Sequence, residues 1–156
     1  MVKLMAKADK KTSCYVSLVQ ALRDTSYLLN QTYIVHWNLI GCKFYSIHKL
    51  TETMYEELQG GLDAIAEHLR SLDIAAPKTV EDLNYSSLPH LPEDCFDQDG
   101  LITTLASNTN LLAEKFVEIA KQAAAIGDDL TLDLAVERGR AHKKYQWLLK
   151  SNLSCS

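Results

Sequence analysis

Apolar residues recur along this chain at steps of three and four, the spacing that gathers side chains on one face of an α-helix. A first stripe runs through Val19, Leu22, Leu29 and Tyr33, with Ser26 on the same face, and ends on His36 and Ile40 before Gly41 breaks it. Thr12 or Ser13 is placed to cap that helix. A second stripe, Ile47, Met54, Leu58, Leu62, Ile65 and Leu69, predicts a helix over 44–72, and Pro77 closes the region. Leu101, Leu105, Leu112, Phe116, Ile119 and Ala123 predict a third long helix after Asp99, with Gly127 as its stop. Asp128 and Asp129 suit the start of a fourth, with Leu130, Leu134, Ala141, Tyr145 and Leu148 in step. All three prolines lie at 77–92, where a short helix over 80–83 is predicted.

The chain therefore reads as all-α. Short links at Gly41 and Gly127 join antiparallel neighbours. A middle link of about twenty residues lets helices two and three run parallel, the one-crossover topology of ferritin-like four-helix bundles.

Composition narrows this picture. The 156 residues suffice for one domain with a real core, and 47% hydrophobic against 23% charged residues excludes a disordered chain. The net charge of −4 argues against wholesale electrostatic binding of nucleic acid. Lys3, Lys7, Lys10 and Lys11, opposed only by Asp9, nevertheless make residues 1–11 a basic, flexible tail and a candidate DNA contact. Residues 12–153 form the domain and 154–156 a C-terminal tail. The cysteines, at 14, 42, 95 and 155, show neither a C-x-x-C pair nor a zinc spacing, and no apolar run reaches a signal peptide or the ~20 residues of a membrane span. The expectation is a cytoplasmic protein with reduced thiols and no membrane partner.

Candidate chemistry sits on the first two helices. His36 ends the first stripe, and a lone histidine there is ordinarily a packed core residue. Asp63 and Glu67, four apart, share a face of helix two, where two carboxylates repel unless solvent or a cation separates them. Glu52 follows His48 by four, so one turn offers an imidazole and a carboxylate together. His48 and Asp63 are fifteen residues apart, about 22 Å along a helix, too far to share an ion in one chain. An antiparallel second copy of helix two, paired near residue 58, brings His48 of one chain beside Asp63 of the other, twice over. Such a mixed nitrogen and oxygen set suits iron, zinc or manganese.

These residues carry a resemblance. The stretch His36-Trp-Asn-Leu-Ile-Gly41-Cys-Lys-Phe44-Tyr-Ser-Ile-His48 is similar to the Dps family, the DNA-binding proteins from starved cells. So are Tyr55-Glu-Glu-Leu58, Leu62-Asp63-Ala-Ile-Ala-Glu67, Gly127-Asp-Asp-Leu-Thr-Leu-Asp133 and Trp147-Leu-Leu-Lys-Ser-Asn. The resemblance spans about residues 12–153. It implies a ferritin-like bundle with a short helix in the crossover, assembled as a hollow dodecamer with tetrahedral symmetry. It implies a ferroxidase: Fe(II) binds at the two-fold interface, is oxidised preferably by hydrogen peroxide rather than O2, and is stored as ferric mineral, which protects DNA from oxidative damage. By this resemblance His36 and His48 of one subunit and Asp63 and Glu67 of its partner are the iron ligands. Glu52 stands where the family often has Asp, as an outer ligand. Trp37 matches an aromatic beside the iron that takes up oxidising equivalents. Asp133 matches an acid of the three-fold iron-entry pore.

There are departures. His68 stands where the family usually has Arg, residues 73–77 replace a Gly-rich turn, and the residues before Gly127 lack a second pore acid. A DNA-condensing protein working through the lysine tail, and so associated with the nucleoid, is the alternative function. A larger ferritin with its di-iron site inside one bundle needs Glu-x-x-His pairs, and no Glu here has a His three positions on.

Overall fold

The buried positions along the first helix include a series that alternates by four and three: Cys14, Leu18, Ala21, Thr25, Leu28, Thr32 and Val35. That spacing makes a narrow inner seam on α1 (Val2–Asn38). Of the predicted stripe, Leu22, Ser26 and His36 are buried, while Val19, Leu29 and Tyr33 are half-buried flanks of the seam. The computed structural model describes residues 2–93 and 98–153, with side chains from residue 9 onward. Cys95, Cys155 and the 154–156 tail lie outside the described residues.

The helix start expected at Thr12 or Ser13 is corrected, because α1 begins at Val2. Residues 2–11 are rich in Ala, Leu, Met and Lys and hold neither Gly nor Pro, so nothing local stops the helix at residue 12. Ser13 lies inside it and accepts the Ser17 hydroxyl on its carbonyl at 3.0 Å.

The other boundaries follow the sequence. α2 covers Phe44–Ser71, α3 Val80–Leu83, α4 Gln98–Ile126 and α5 Asp129–Lys150. Thr79 caps α3 by accepting the Asp82 N–H, and Asp128 caps α5 by accepting the Thr131 N–H at 3.0 Å. Gly127 takes φ +75, which glycine adopts without strain. Asp73 does the same job after α2 with φ 61. It donates to the Arg70 carbonyl at 3.1 Å while Ile74 reaches Leu69 at 3.0 Å, a Schellman closure without glycine.

α1 packs on α2 and α4, α5 packs on α4 and α2, and α3 lies on α1. Among the described residues no helix is long and apolar enough to cross a membrane. The long link is tied to α1 by polar contacts. Asp24, fully buried, accepts Ser86 Oγ and the Ser87 N–H at 2.9 Å each and pairs with Lys115 of α4. Burial pushes its pKa up, but the Lys115 and Ser87 contacts outweigh that and hold it below the usual carboxylate range.

The core face of α5 differs from its predicted stripe. It buries Thr131, Ala135, Arg138, His142, Tyr145 and Leu149, while Leu130 is 74% exposed. The apolar pattern followed a flank, because two core positions are polar. Arg138 pairs with Glu57 of α2. A side chain at Gly61 would collide with the guanidinium, its Cβ falling 1.7 Å from an Arg138 nitrogen. His142 stacks on Phe116 at 5.5 Å, and burial, helped by Arg138, pushes its pKa down to about 3.

Candidate metal centre

His36 sits in the last turn of α1 and His48 in the second turn of α2. The turn at Gly41, with φ +96, folds one helix back on the other, and the two imidazoles stack with centroids 3.8 Å apart and planes 17° from parallel. Their hydrogen bonds are reciprocal. His36 Nδ1 lies 3.0 Å from the His48 carbonyl, and His48 Nδ1 lies 3.0 Å from the His36 carbonyl. A carbonyl only accepts, so both Nδ1 atoms carry the proton and both Nε2 atoms keep a lone pair. Thr51 strengthens this arrangement. Its hydroxyl donates to Ile47 O at 2.7 Å, which leaves its oxygen to accept from His36 Nδ1 at 3.0 Å. Burial, and then the neighbouring His48, hold the His36 pKa below the ordinary histidine value, favouring the neutral, metal-binding form.

Glu52 is half-buried, one turn beyond His48. Lys49 holds it at 2.8 Å, and that hydrogen bond and charge bring its carboxyl below the usual range. Aromatic rings wall the pair. Phe44 lies 5.0 Å from His48, and Tyr55 stands edge-on to His36 at 5.2 Å and 89°. Tyr55 meets Tyr33 at 4.7 Å, and Tyr33 stacks on Trp37 at 5.3 Å and 17°. Trp37 is 68% exposed.

Thus His36 and His48 stand side by side at one end of the α1–α2 hairpin, with Glu52 one turn beyond and paired with Lys49. Asp63 and Glu67 do not join them. Both are exposed on α2, fifteen and nineteen residues beyond His48, and among the described residues no three metal-capable side chains of one chain come together. Asp133 is exposed near the start of α5. Lys10 and Lys11 are exposed, with the Lys11 ammonium 5.6 Å from the Tyr15 ring, while the Lys3 and Lys7 side chains lie outside the described residues. Sequence reasoning missed Thr51, Tyr33 and Tyr55. The available signal was spacing: Tyr33 precedes His36 by three and Thr51 follows His48 by three, one helical turn each.

Comparison with known proteins agrees with this architecture. A ferritin-like domain model matches residues 17–154. A DNA protection during starvation protein of Helicobacter pylori is 24% identical over 132 residues, covering 84% of this chain and 92% of the relative. The crystal structure of Dps from Thermosynechococcus elongatus superposes with a TM-score of 0.90 at 22% identity, over 97% of this chain and 96% of that one. Dps from Vibrio cholerae, described as a member of a broad superfamily of ferritin-like diiron-carboxylate proteins, gives a TM-score of 0.83 at 22% identity, over 94% and 92%. The chain belongs to the ferritin-like domain family and resembles the Dps proteins of that family along nearly its whole length.

Proposed function

We propose that this protein oxidises Fe(II) and stores the ferric product, with each substrate site shared between two copies of the chain. One observation carries the reading: His36 and His48 each spend the Nδ1 proton on the other's backbone, so two Nε2 lone pairs stand side by side with no third metal-capable side chain completing a site among the described residues of their own chain. Asp63 and Glu67 supply what is missing when a second α2 packs antiparallel against the first, since helix arithmetic brings His48 of one copy near Asp63 of the other. An isologous pair of helices makes two such sites.

The residues then have distinct tasks. The imidazoles bind Fe(II) in neutral form, which the lowered His36 pKa preserves. Asp63 and Glu67 supply negative charge that favours the ferric over the ferrous ion, and the ion relieves their mutual repulsion. Glu52, ionised beside Lys49, serves as an outer carboxylate. Asp133 contributes to iron entry. Hydrogen peroxide is the preferred oxidant and O2 the slower one. Assembly goes on to a closed dodecamer in the cytoplasm that holds the ferric mineral. Removing Fe(II) and peroxide together denies the cell its source of hydroxyl radical, and so protects DNA.

The test is Fe(II) oxidation by peroxide and by O2, with sedimentation of the assembly, for wild type and for Asp63→Ala combined with Glu67→Ala. Loss of oxidation in an intact assembly is expected. Wild-type rates in the double variant would refute the site.

A further inference from the structure

Inside the bundle, where α2 faces α5, four polar atoms are buried without a hydrogen-bond partner among the described residues. They are Glu57 Oε2, Arg138 Nε and both ring nitrogens of His142. Other contacts hold these side chains in place. Arg138, 4% exposed, spends another guanidinium nitrogen on Glu57 Oε1 and lies over the bare backbone of Gly61, one turn further along α2. His142, 1% exposed, follows Arg138 by one turn of α5, and Phe116 covers a face of its ring at 5.5 Å and 12°. Stacking leaves the ring edge, which carries both nitrogens, unanswered. A buried donor or acceptor left bare costs about as much as the hydrogen bond it forgoes. Packing does not account for four of them in one place, since apolar side chains of similar size would fill this seam without that cost. The cluster is also separate from the metal centre, because Glu57 lies nine residues beyond His48, about 13 Å along α2.

We infer that Glu57, Arg138 and His142 form a binding site for internal water, set between α2 and α5 and taking at least two molecules per subunit. The atoms themselves select the ligand. Burial and the charge of Arg138 keep His142 neutral, so one ring nitrogen carries a proton and the other a lone pair. With the Arg138 Nε–H and Glu57 Oε2, the cluster offers two donors and two acceptors. Ions of either sign are turned away. A metal cation would meet the Arg138 guanidinium, an anion would meet the Glu57 carboxylate, and the two charges already cancel each other. A neutral molecule that both donates and accepts answers all four atoms, and a buried water makes about three such bonds. One molecule joins Arg138 Nε to Glu57 Oε2, atoms of side chains already in contact. The two imidazole nitrogens point away from each other, so a second molecule takes the nitrogen that the first cannot reach. Glu57 is the way in, since its side chain is 27% exposed while Oε2 is buried. Water here is a filled, exchangeable part of the core, and the site stands whether or not the chain oxidises iron.

The experiment uses the full-length assembled protein. A high-resolution crystal structure should place one water within hydrogen-bond distance of both Arg138 Nε and Glu57 Oε2, and another on a His142 nitrogen. Crystals soaked in bromide or in cobalt(II) should show no anomalous peak at the cluster. In solution, oxygen-17 magnetic relaxation dispersion counts the long-lived waters. His142→Leu should lower that count by at least one per subunit, and His142→Gln, which restores a donor and an acceptor, should bring it back. Where His142→Leu does not assemble, the wild-type crystals decide by themselves. A direct hydrogen bond between His142 and Glu57, a dry cluster, or bromide or cobalt bound there overturns the water site. So does a count of long-lived waters that His142→Leu leaves unchanged.

Discussion

His36 and His48 donate their Nδ1 protons to each other's backbone carbonyl oxygens, at 3.0 Å in both directions. Each backbone is therefore the orienting partner of the other residue's ring, and neither ring can turn without losing its own hydrogen bond. Outer partners of this kind fix the tautomer and the ring plane that a metal ion meets.

Thr51 tests that dependence. Thr51→Val keeps the shape but removes the oxygen that accepts from His36 Nδ1. Co(II) or Fe(II) affinity, measured by calorimetry on the assembled protein, should fall by roughly 10–100-fold, the usual cost of losing such a partner. Unchanged affinity would mean that the two carbonyls suffice.

The ion pair inside the bundle gives a second prediction. Gly61→Ala drives a methyl into the Arg138 guanidinium and pushes it off Glu57. The expected loss is about 3 kcal/mol, the scale for breaking a buried pair, read as a lowered midpoint in chemical denaturation. Gly60→Ala is the control, because a Cβ there meets nothing within 4 Å.

Stability should fall on the acid side through His142. Its folded pKa is pushed down to about 3 from the ordinary histidine value of 6.5. Between those values the unfolded chain binds a proton that the folded chain refuses. The contribution is therefore intact above pH 6.5 and lost as pH falls toward 3, at up to about 1.4 kcal/mol per pH unit. His142→Leu, which keeps an apolar contact with Phe116, should flatten this part of the curve. A slope equal to wild type would assign the acid sensitivity to other groups.

Direct DNA binding is expected to run through Lys3, Lys7, Lys10 and Lys11. Four phosphate contacts predict a slope of log affinity against log salt of about −3.6 per contacting chain. Deleting residues 2–11 should abolish any gel retardation. Retardation that survives the deletion, or ignores salt, would sink the lysine route.

Much of this was legible in the sequence, and the failures have physical causes. Gly41, Gly127 and the capping residue Asp128 announced the turns, because only certain residues do those jobs. Val80–Leu83 was found from its setting between prolines. The inner faces of α1 and α5 were read in part: Leu22, Ser26 and Tyr145 are buried as expected, while Val19, Leu29, Leu134 and Leu148 flank the core. On α1, Tyr33 and Leu29 are large and apolar but flank the seam, while Thr25 and Thr32 lie in it and return their hydroxyls to Ala21 O and Leu28 O. On α5, Arg138 and His142 are buried polar residues, which an apolar count passes over. The spacing of His36, His48, Asp63 and Glu67 pointed to metal. The hydrogen bonds that orient the two histidines could not be read, since they run through backbone carbonyls across a turn.

Asp24 has a consequence for how the molecule forms. Its buried carboxylate ties α1 to the crossover, 62 and 63 residues away, and to α4, 91 residues away. Neither helical hairpin can satisfy that carboxylate without the other, and a half-built chain would bury it unpaired or leave the seam open. The two hairpins are thereby made to succeed or fail together, and this distant closure is expected to come late in folding.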